Sequence, residues 1–304
     1  MKKRIGLPRA LIYYNNNILW KTFFLTLGCK ITVSPETNNN IIENGKKNTS
    51  KDHCLSYQIY IGHIIYLNNF CDYILISSIS NYGKNNNICP IINGTYDYVK
   101  HIIPKEKILE YNIDFTKHKY ELFGFIKIGL KLTKNPIKII YGYIKGKIKQ
   151  NKYNKEKEQE ENNKLKHKNK KILLFSQLYN NNDKYITGYI KEYLKSKSII
   201  LIFPNFLNKK TALNFSEYFS DSINWNNNKS IIGSLYYYNY QIDGVIYLST
   251  SNCNIDALIN EVIHKKNNHL PSINIIIDES YNKEEIKYKL DKLIKEIKGG
   301  KNAK

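Results

Sequence analysis

The sequence predicts an α/β fold of two flavodoxin- or Rossmann-like domains, each built on a parallel sheet. Three observations lead to this prediction. Short apolar runs alternate with helical segments in the first third of the 304-residue chain, the alternation returns in the last third, and a lysine-rich stretch separates the two. We therefore expect an N-terminal α/β domain over 1–114, a helical, charged insert over 115–170 and a C-terminal α/β domain over 171–304.

The first third opens with a strand in RIGLPRALIYY and a helix in NILWKTFFLTLG, which Gly28 ends. KITVS reads as a second strand. SPETNNNIIENG is expected to start a helix with Ser34 as its N-cap, Pro35 at the first position and Gly45 at its end. The segments that follow are a helix in LSYQIYIGHIIYL, a buried strand in CDYILISSIS, a loop in YGKNNNICP and a helix in TYDYVKHII.

The middle and last thirds complete the pattern. Residues 115–149 are expected to be helical and basic, and residues 150–171 to form a solvated linker or a frayed helix. Asn182 or Asp183 should cap one helix of the last third, and Asn254 another. The predicted strands there are KKILLF, SIILIFP, IDGVIYLST and PSINIII, and the predicted helices are NDKYITGYIKEYLKSK, WNNNKSIIGSLYYYN, NIDALINEVIHKK and NKEEIKYKLDKLIKEIK.

The formal net charge of +21 first suggests a nucleic-acid partner. Lysine far outnumbers arginine, however, and arginine is the better reader of phosphates and base edges. The charge also concentrates in one low-complexity segment, so we argue against sequence-specific nucleic-acid binding. No stretch approaches the roughly 20 apolar residues of a membrane helix. The N-terminus reads as a strand and not as a signal peptide, so we expect a cytoplasmic protein without a membrane partner.

Five cysteines are present, an odd number at wide spacing and without a CxxC pair, which argues against a disulfide framework or a zinc knuckle. Cys54, Cys89 and Cys253 are expected in loops near the carboxyl ends of strands, where ligands of α/β proteins gather. Cys29 and Cys71 are expected to pack in the core. From the residues alone, the first three are either small buried hydrophobes or functional thiols.

Several stretches resemble the acyl-CoA dehydratase activase-related domain of the 2-hydroxyacyl-CoA dehydratase (2-hydroxyglutaryl-CoA dehydratase D-component-like) family. The resemblance is most specific in IGLPRALIYY, LWKTFFLTLG and SPETN. It continues through DHCLSYQIYIGHIIYL, CDYILI and ICPIINGTYD, and returns in LLFSQLYNNND, STSNCNIDALINEVI and PSINIIIDES. It therefore covers most of the chain outside the middle insert.

The resemblance implies an iron–sulfur cluster, [4Fe–4S] in type, held by Cys54, Cys89 and Cys253 between two α/β domains. It also implies electron transfer or the reductive dehydration of an acyl-CoA, a lyase reaction in which one electron added to the thioester leads to loss of hydroxide. An ATP-hydrolysing activase or another electron donor would be a separate partner, because this chain has no glycine-rich phosphate-binding run. Whether the chain is itself an enzyme, and whether it forms a homo- or hetero-oligomer, stays open.

The sequence departs from the family pattern around these cysteines. Ser56 stands where the family has proline, and Ile91 where it has lysine. Asn252 and Asn254 flank Cys253 where the family favours glycine. The Arg-Pro pair of another motif is replaced by Gln-Leu at 177–178. These departures support an alternative, a binding or scaffold protein that keeps the fold without the cluster.

Two further residues have a functional and a structural interpretation. Arg9 follows the first strand and is expected either to bind a carboxylate or CoA phosphate, as a cofactor-binding residue, or to form a structural ion pair. His63 lies nine positions after Cys54 on one predicted helix, so it is not expected to be a ligand. Gly62 beside it is expected to permit close helix packing.

Overall fold

The computed structural model describes residues 2–83, 86–217, 225–267 and 269–299. The chain divides into two compact units. The first comprises Met1–Asn154 with Asn224–Asn226, and the second comprises Lys155–Ile223 with Asn227–Lys304. Each unit is described by itself below.

The first unit is built on a four-stranded parallel sheet in the order β2-β1-β3-β4. The two central strands carry nearly continuous apolar runs, because helices cover a parallel sheet on both faces. The strands are β1 (Arg4–Leu7), β2 (Lys30–Val33), β3 (Tyr73–Asn81) and β4 (Ile108–Asp114).

Two helices of the first unit approach so closely that only glycine fits between them. A Cβ on Gly62 would lie 1.9 Å from the main-chain oxygen of Ile41, and one on Gly45 would lie 1.9 Å from that of Gln58. The expected role of Gly62 in helix packing is thus confirmed. The helices of this unit are α1 (Tyr13–Thr26), α2 (Asn39–Lys47), α3 (Leu55–Asn68), α4 (Pro90–Asn93), α5 (Thr95–Val99), α6 (Glu121–Leu132) and the first part of α7 (Pro136–Leu165).

The second unit repeats the topology of the first, with a parallel sheet in the order β6-β5-β7-β8. Its strands are β5 (Lys171–Phe175), β6 (Ile200–Ile202), β7 (Gly244–Thr250) and β8 (Ser272–Ile277). Its helices are α8 (Leu178–Asn182), α9 (Lys184–Ser196), α10 (Lys209–Ser216), α11 (Asn226–Tyr238), α12 (Asn254–Lys266) and α13 (Lys283–Gly299). The predicted fold class, two flavodoxin- or Rossmann-like units with parallel sheets, is confirmed.

Some local predictions need correction. The helix expected to start at Ser34 begins at Asn39, because the Ser34 hydroxyl instead accepts a hydrogen bond from the Arg9 N–H at 2.8 Å. Asn38 is the N-cap, and its Oδ1 accepts from the Ile41 N–H at 3.1 Å. Likewise α12 includes Asn254, so its N-cap position belongs to Cys253.

Two segments of the chain hold more regular structure than the sequence suggested. Strand β4 was not predicted. The charged segment that the sequence left as a linker or a frayed helix continues α7 as regular helix to Leu165. Within the described ranges, none of the helices combines the length and apolar character that crossing a lipid bilayer requires.

Candidate functional site

All three predicted ligand cysteines occupy the same local position, the residue directly before a helix. Cys54 precedes α3, Cys89 precedes α4 and Cys253 precedes α12. All three are half-buried. The first turn of a helix exposes main-chain N–H groups that favour negative charge, which lowers the cost of a thiolate at such a position.

In the first unit, the structure packs the start of α3 against the segment that follows Cys89. Tyr57, one turn into α3, hydrogen-bonds to Thr95 at the start of α5. The Tyr57 ring also lies 6.2 Å from that of Tyr98 in α5, measured between centroids. Burial raises the pKa of Tyr57, so its phenol stays protonated. These contacts tie together the elements that carry Cys54 and Cys89.

Strand β3 fixes the short helix that follows Cys89. The Ser78 hydroxyl donates to the main-chain oxygen of Asn93 at 3.0 Å and accepts from the Tyr96 N–H at 3.3 Å. Pro90 occupies the first helical position, where its missing N–H costs nothing. The position of Cys89 is therefore set by the carboxyl end of a central strand.

In the second unit, Cys253 follows β7 through a turn that requires an unusual backbone conformation. Asn252 has a φ of +59°, in the left-handed region that glycine adopts freely and asparagine tolerates better than most residues. The Cys253 N–H donates to the Thr250 oxygen at 3.2 Å. Asparagine can therefore replace the family's glycine at 252 with the turn retained.

A buried carboxyl group lies next to Cys253. Asp256 is 6% exposed, and its Oδ1 accepts from Gln177 Nε2 at 2.8 Å and from Asn228 Nδ2 at 3.1 Å. The Cys253 thiol also hydrogen-bonds to this carboxyl group. Burial raises the pKa of Asp256 in spite of these donors. Gln177, one of the departures from the family pattern, thus positions a carboxyl group beside Cys253.

Arg9 lies beyond the end of β1, as expected, beside a buried polar pair. The His63 Nε2 and the Thr37 Oγ1 are 3.1 Å apart, and His63 is fully buried. Burial, with a smaller contribution from the Arg9 charge, lowers the pKa of His63 to about 3. Its imidazole is therefore neutral. Among the described residues, Arg9 Nε and His63 Nδ1 are buried and have no hydrogen-bond partner.

The two remaining cysteines differ from the predicted ligands in their environment. Cys29 is 8% exposed and Cys71 is 6% exposed. Burial raises the pKa of both thiols, which disfavours the thiolate that metal binding needs. Both residues therefore act as core packing, in line with their expected role.

Neither unit by itself contains, among its described residues, a group of three His, Cys, Asp or Glu side chains arranged to hold a metal ion. Cys54 and Cys89 belong to the first unit and Cys253 to the second, so the predicted ligand set needs both units. The sequence also gave no indication of two polar contacts of this region. Thr37 and His63 are 26 residues apart, and Gln177 and Asp256 are 79 residues apart.

One family model matches the chain, and no curated protein matches it. The model is the CoA enzyme activase uncharacterised domain (DUF2229), and it matches residues 4–207, about two thirds of the chain. The matched region contains Arg9, Cys54 and Cys89, whereas Cys253 lies beyond it. The chain therefore belongs to the CoA enzyme activase domain family.

Proposed function

We propose that this chain is a cytoplasmic iron–sulfur protein of an acyl-CoA dehydratase system, similar to the D-component of 2-hydroxyacyl-CoA dehydratases. Cys54, Cys89 and Cys253 would hold a [4Fe–4S] cluster. One observation carries the proposal: the three cysteines that the family resemblance selects are half-buried and directly precede helices, whereas the other two cysteines are buried in the core.

The donor set fits such a group. Iron–sulfur clusters are held by cysteine thiolates, and hydrogen bonds and helix dipoles near the sulfur atoms tune them. Helices α3 and α12, which follow Cys54 and Cys253, are 14 and 13 residues long and so present well-developed N-termini. Three thiolates leave one iron open to water or a substrate oxygen. When bound, the cluster supplies one-electron transfer.

The residues around the cysteines have separate roles in this proposal. Asp256 lies within hydrogen-bonding reach of Cys253, and burial raises the pKa of its carboxyl group; once Cys253 is a thiolate, the protonated carboxyl group would donate the hydrogen bond to its sulfur atom. Arg9, with a buried Nε that has no partner among the described residues, would bind the carboxylate or a phosphate of an acyl-CoA. The neutral His63 adds no positive charge beside it. An ATP-hydrolysing activase, or another donor protein, would deliver the electron.

Anaerobic purification followed by cluster reconstitution tests the proposal. Iron, sulfide and the visible absorption of the cluster are measured on the full chain and on five variants with one Cys→Ala change each. We expect Cys54→Ala, Cys89→Ala and Cys253→Ala to lose most of the iron. Cys29→Ala and Cys71→Ala are the matched controls and should keep it.

Two results would contradict the proposal. A chain that stays colourless after reconstitution would favour the scaffold alternative, and equal iron in all five variants would show that these thiols are not the ligands. The role of Arg9 is tested separately. Arg9→Gln should keep the iron content and weaken the binding of coenzyme A thioesters, whereas unchanged thioester binding would assign Arg9 a structural role only.

A further inference from the structure

A basic groove lies along the open edge of the second sheet, and the proposed cluster does not use it. Strand β6 is the edge strand of this sheet, and the end of α7 and the helix α9 flank it. The groove has a volume of about 580 Å³, within the usual range for small-molecule sites. Its lining residues are Lys164, His167, Asn169, Lys191, Lys195, Ile199, Ile200, Leu201 and Phe203.

The end of α7 is bonded to the edge strand and to the residue that follows it. Lys164 Nζ donates to the main-chain oxygen of Leu201 at 3.2 Å, and the Phe203 N–H donates to Glu161 Oε2 at 3.0 Å. Glu161 Oε1 also accepts from Lys164 at 2.6 Å. These bonds satisfy main-chain groups of the edge strand, so β6 is blocked from pairing with another strand. The bonds also make the groove a fixed feature of the unit.

Two lysine side chains converge on one aromatic ring in this groove. Lys164 Nζ lies 4.8 Å and Lys191 Nζ 5.2 Å from the centroid of the Phe203 ring. The positive charges of Lys164 and Lys191 repel each other, which raises the free energy of the empty groove. An anion placed between them removes that cost.

The positive charge of the groove is only partly balanced. Glu161 pairs with Lys164, whereas the described lining residues include no acidic side chain. Lys191 donates to the main-chain oxygen of Asn181, which carries no formal charge. The Lys195 and His167 side chains have no hydrogen-bond or ion-pair partner among the described residues. The Asp183 carboxylate partly balances the charge of Lys191. A ligand here would therefore meet one uncompensated lysine, Lys195, two partly balanced lysines and one histidine.

We propose that this groove binds a small anion that carries two or more phosphate groups. Lysine ammonium groups bind phosphate as compact point charges, and several of them around one groove match several negative charges. The volume exceeds what a single phosphate fills, so an organic group attached to the phosphates also fits. A free polyphosphate and the diphosphate of a nucleotide share this chemistry, and the test separates them.

The test is isothermal titration calorimetry on the full chain with orthophosphate, tripolyphosphate, ADP and coenzyme A as probes. Tripolyphosphate should bind at least about tenfold more tightly than orthophosphate, because each added charge-assisted contact contributes severalfold. Tighter binding of ADP or coenzyme A than of tripolyphosphate would assign the groove to nucleotides. The reverse order would assign it to free polyphosphate, and either order supports a phosphate site.

Variants locate the binding. Lys191→Met keeps the aliphatic stem and removes the charge, and Lys195→Gln removes the charge of an exposed side chain. Each should weaken tripolyphosphate binding about fivefold to tenfold. Lys292→Gln, an exposed lysine of α13 outside the groove, is the control and should change it less than about twofold.

Three outcomes would overturn the proposal. The first is that no phosphate probe shows saturable binding. The second is that the natural chain and both groove variants bind tripolyphosphate equally. The third is that a single-stranded oligonucleotide binds more tightly than all small probes, with a steep salt dependence. The last result would assign the basic surface to nucleic acid.

Discussion

Acidification should destabilise the first unit through one side chain, His63. This histidine is fully buried, its Nε2 lies 3.1 Å from Thr37 Oγ1, and the Arg9 charge is close by. Burial and that charge lower its pKa from 6.5 to about 3. The unfolded chain therefore binds a proton between pH 6.5 and 3 that the folded chain does not. The contribution of neutral His63 to the free energy of unfolding is therefore fully present above pH 6.5 and is lost as the pH falls toward 3.

The size of the effect follows from proton linkage. With pKa values of 6.5 in the unfolded chain and about 3 in the folded chain, lowering the pH from 7 to 5 costs about 2 kcal/mol of unfolding free energy. That amount is a large fraction of the stability of an ordinary domain. His63→Gln keeps a hydrogen-bonding side chain opposite Thr37 and removes the titration.

Urea unfolding followed by tryptophan fluorescence measures the first unit selectively, because both tryptophans, Trp20 and Trp225, belong to it. Between pH 7 and 5, the natural chain should lose about 2 kcal/mol more than His63→Gln does. His101→Gln, at an exposed histidine, is the control and should behave as the natural chain. Equal pH dependence in the natural chain and His63→Gln would refute the assignment of the loss to His63.

Three further changes test the fold around the site by the free energy of unfolding in urea. Asn252→Ala should lower the free energy of unfolding by about 1 kcal/mol, because residue 252 has a φ of +59°. Asn252→Gly should be nearly neutral, and equal effects of the two changes would refute the strained turn. Gly62→Ala should cost several kcal/mol, since its Cβ would lie 1.9 Å from a main-chain oxygen. The control is Gly188→Ala in α9, whose Cβ would meet only the flexible Lys184 side chain at 3.2 Å and which should cost less than about 1 kcal/mol; similar values for both would refute the close helix contact. Tyr143→Phe removes a 2.9 Å hydrogen bond to Glu121 and should cost about 1 kcal/mol, and a neutral result would show that the bond contributes nothing.

The strands were predictable from sequence wherever apolar residues dominate. Buried central strands such as β3 read as continuous apolar runs, and all but one of the eight strands in the described part of the chain were predicted from such runs. Strand β4 was missed although its apolar positions were visible in the sequence. It carries Glu110 and Asn112 at half-buried positions of an edge strand, and these polar residues interrupt the run.

Local signals also failed where a distant residue competed for the same group. Ser34 and Pro35 form a good helix-start pattern, yet the Ser34 hydroxyl accepts from the Arg9 N–H, 25 residues away in sequence. The chain therefore stays outside regular helix until Asn38 caps α2. Capping propensities amount to about 1 kcal/mol, so one tertiary hydrogen bond is enough to move the start of a helix.

The candidate site was likewise predictable from the sequence only in part. The sequence could place Cys54 and Cys253 before helix starts, because strand and helix patterns fix those points, but it left Cys89 in a loop and did not predict the short helix α4 that follows it. It also separated Cys29 and Cys71, which it assigned to the core and which are buried, from the three half-buried cysteines. It could not show which side chains contact each thiol. Contacts such as that between Gln177 and Asp256 join elements far apart in sequence, and only the folded sheet brings them together.

The two proposals for the second unit can fail independently, because they use different parts of its sheet. Cys253 follows the carboxyl end of β7, whereas the basic groove follows the outer edge of β6, with β5 between the two strands. Cys253→Ala should therefore lose iron and keep tripolyphosphate binding, whereas Lys195→Gln should keep the iron and weaken tripolyphosphate binding. If either variant lost both properties together, the two sites would be one, and the phosphate groups would have to belong to the ligand of the cluster site itself.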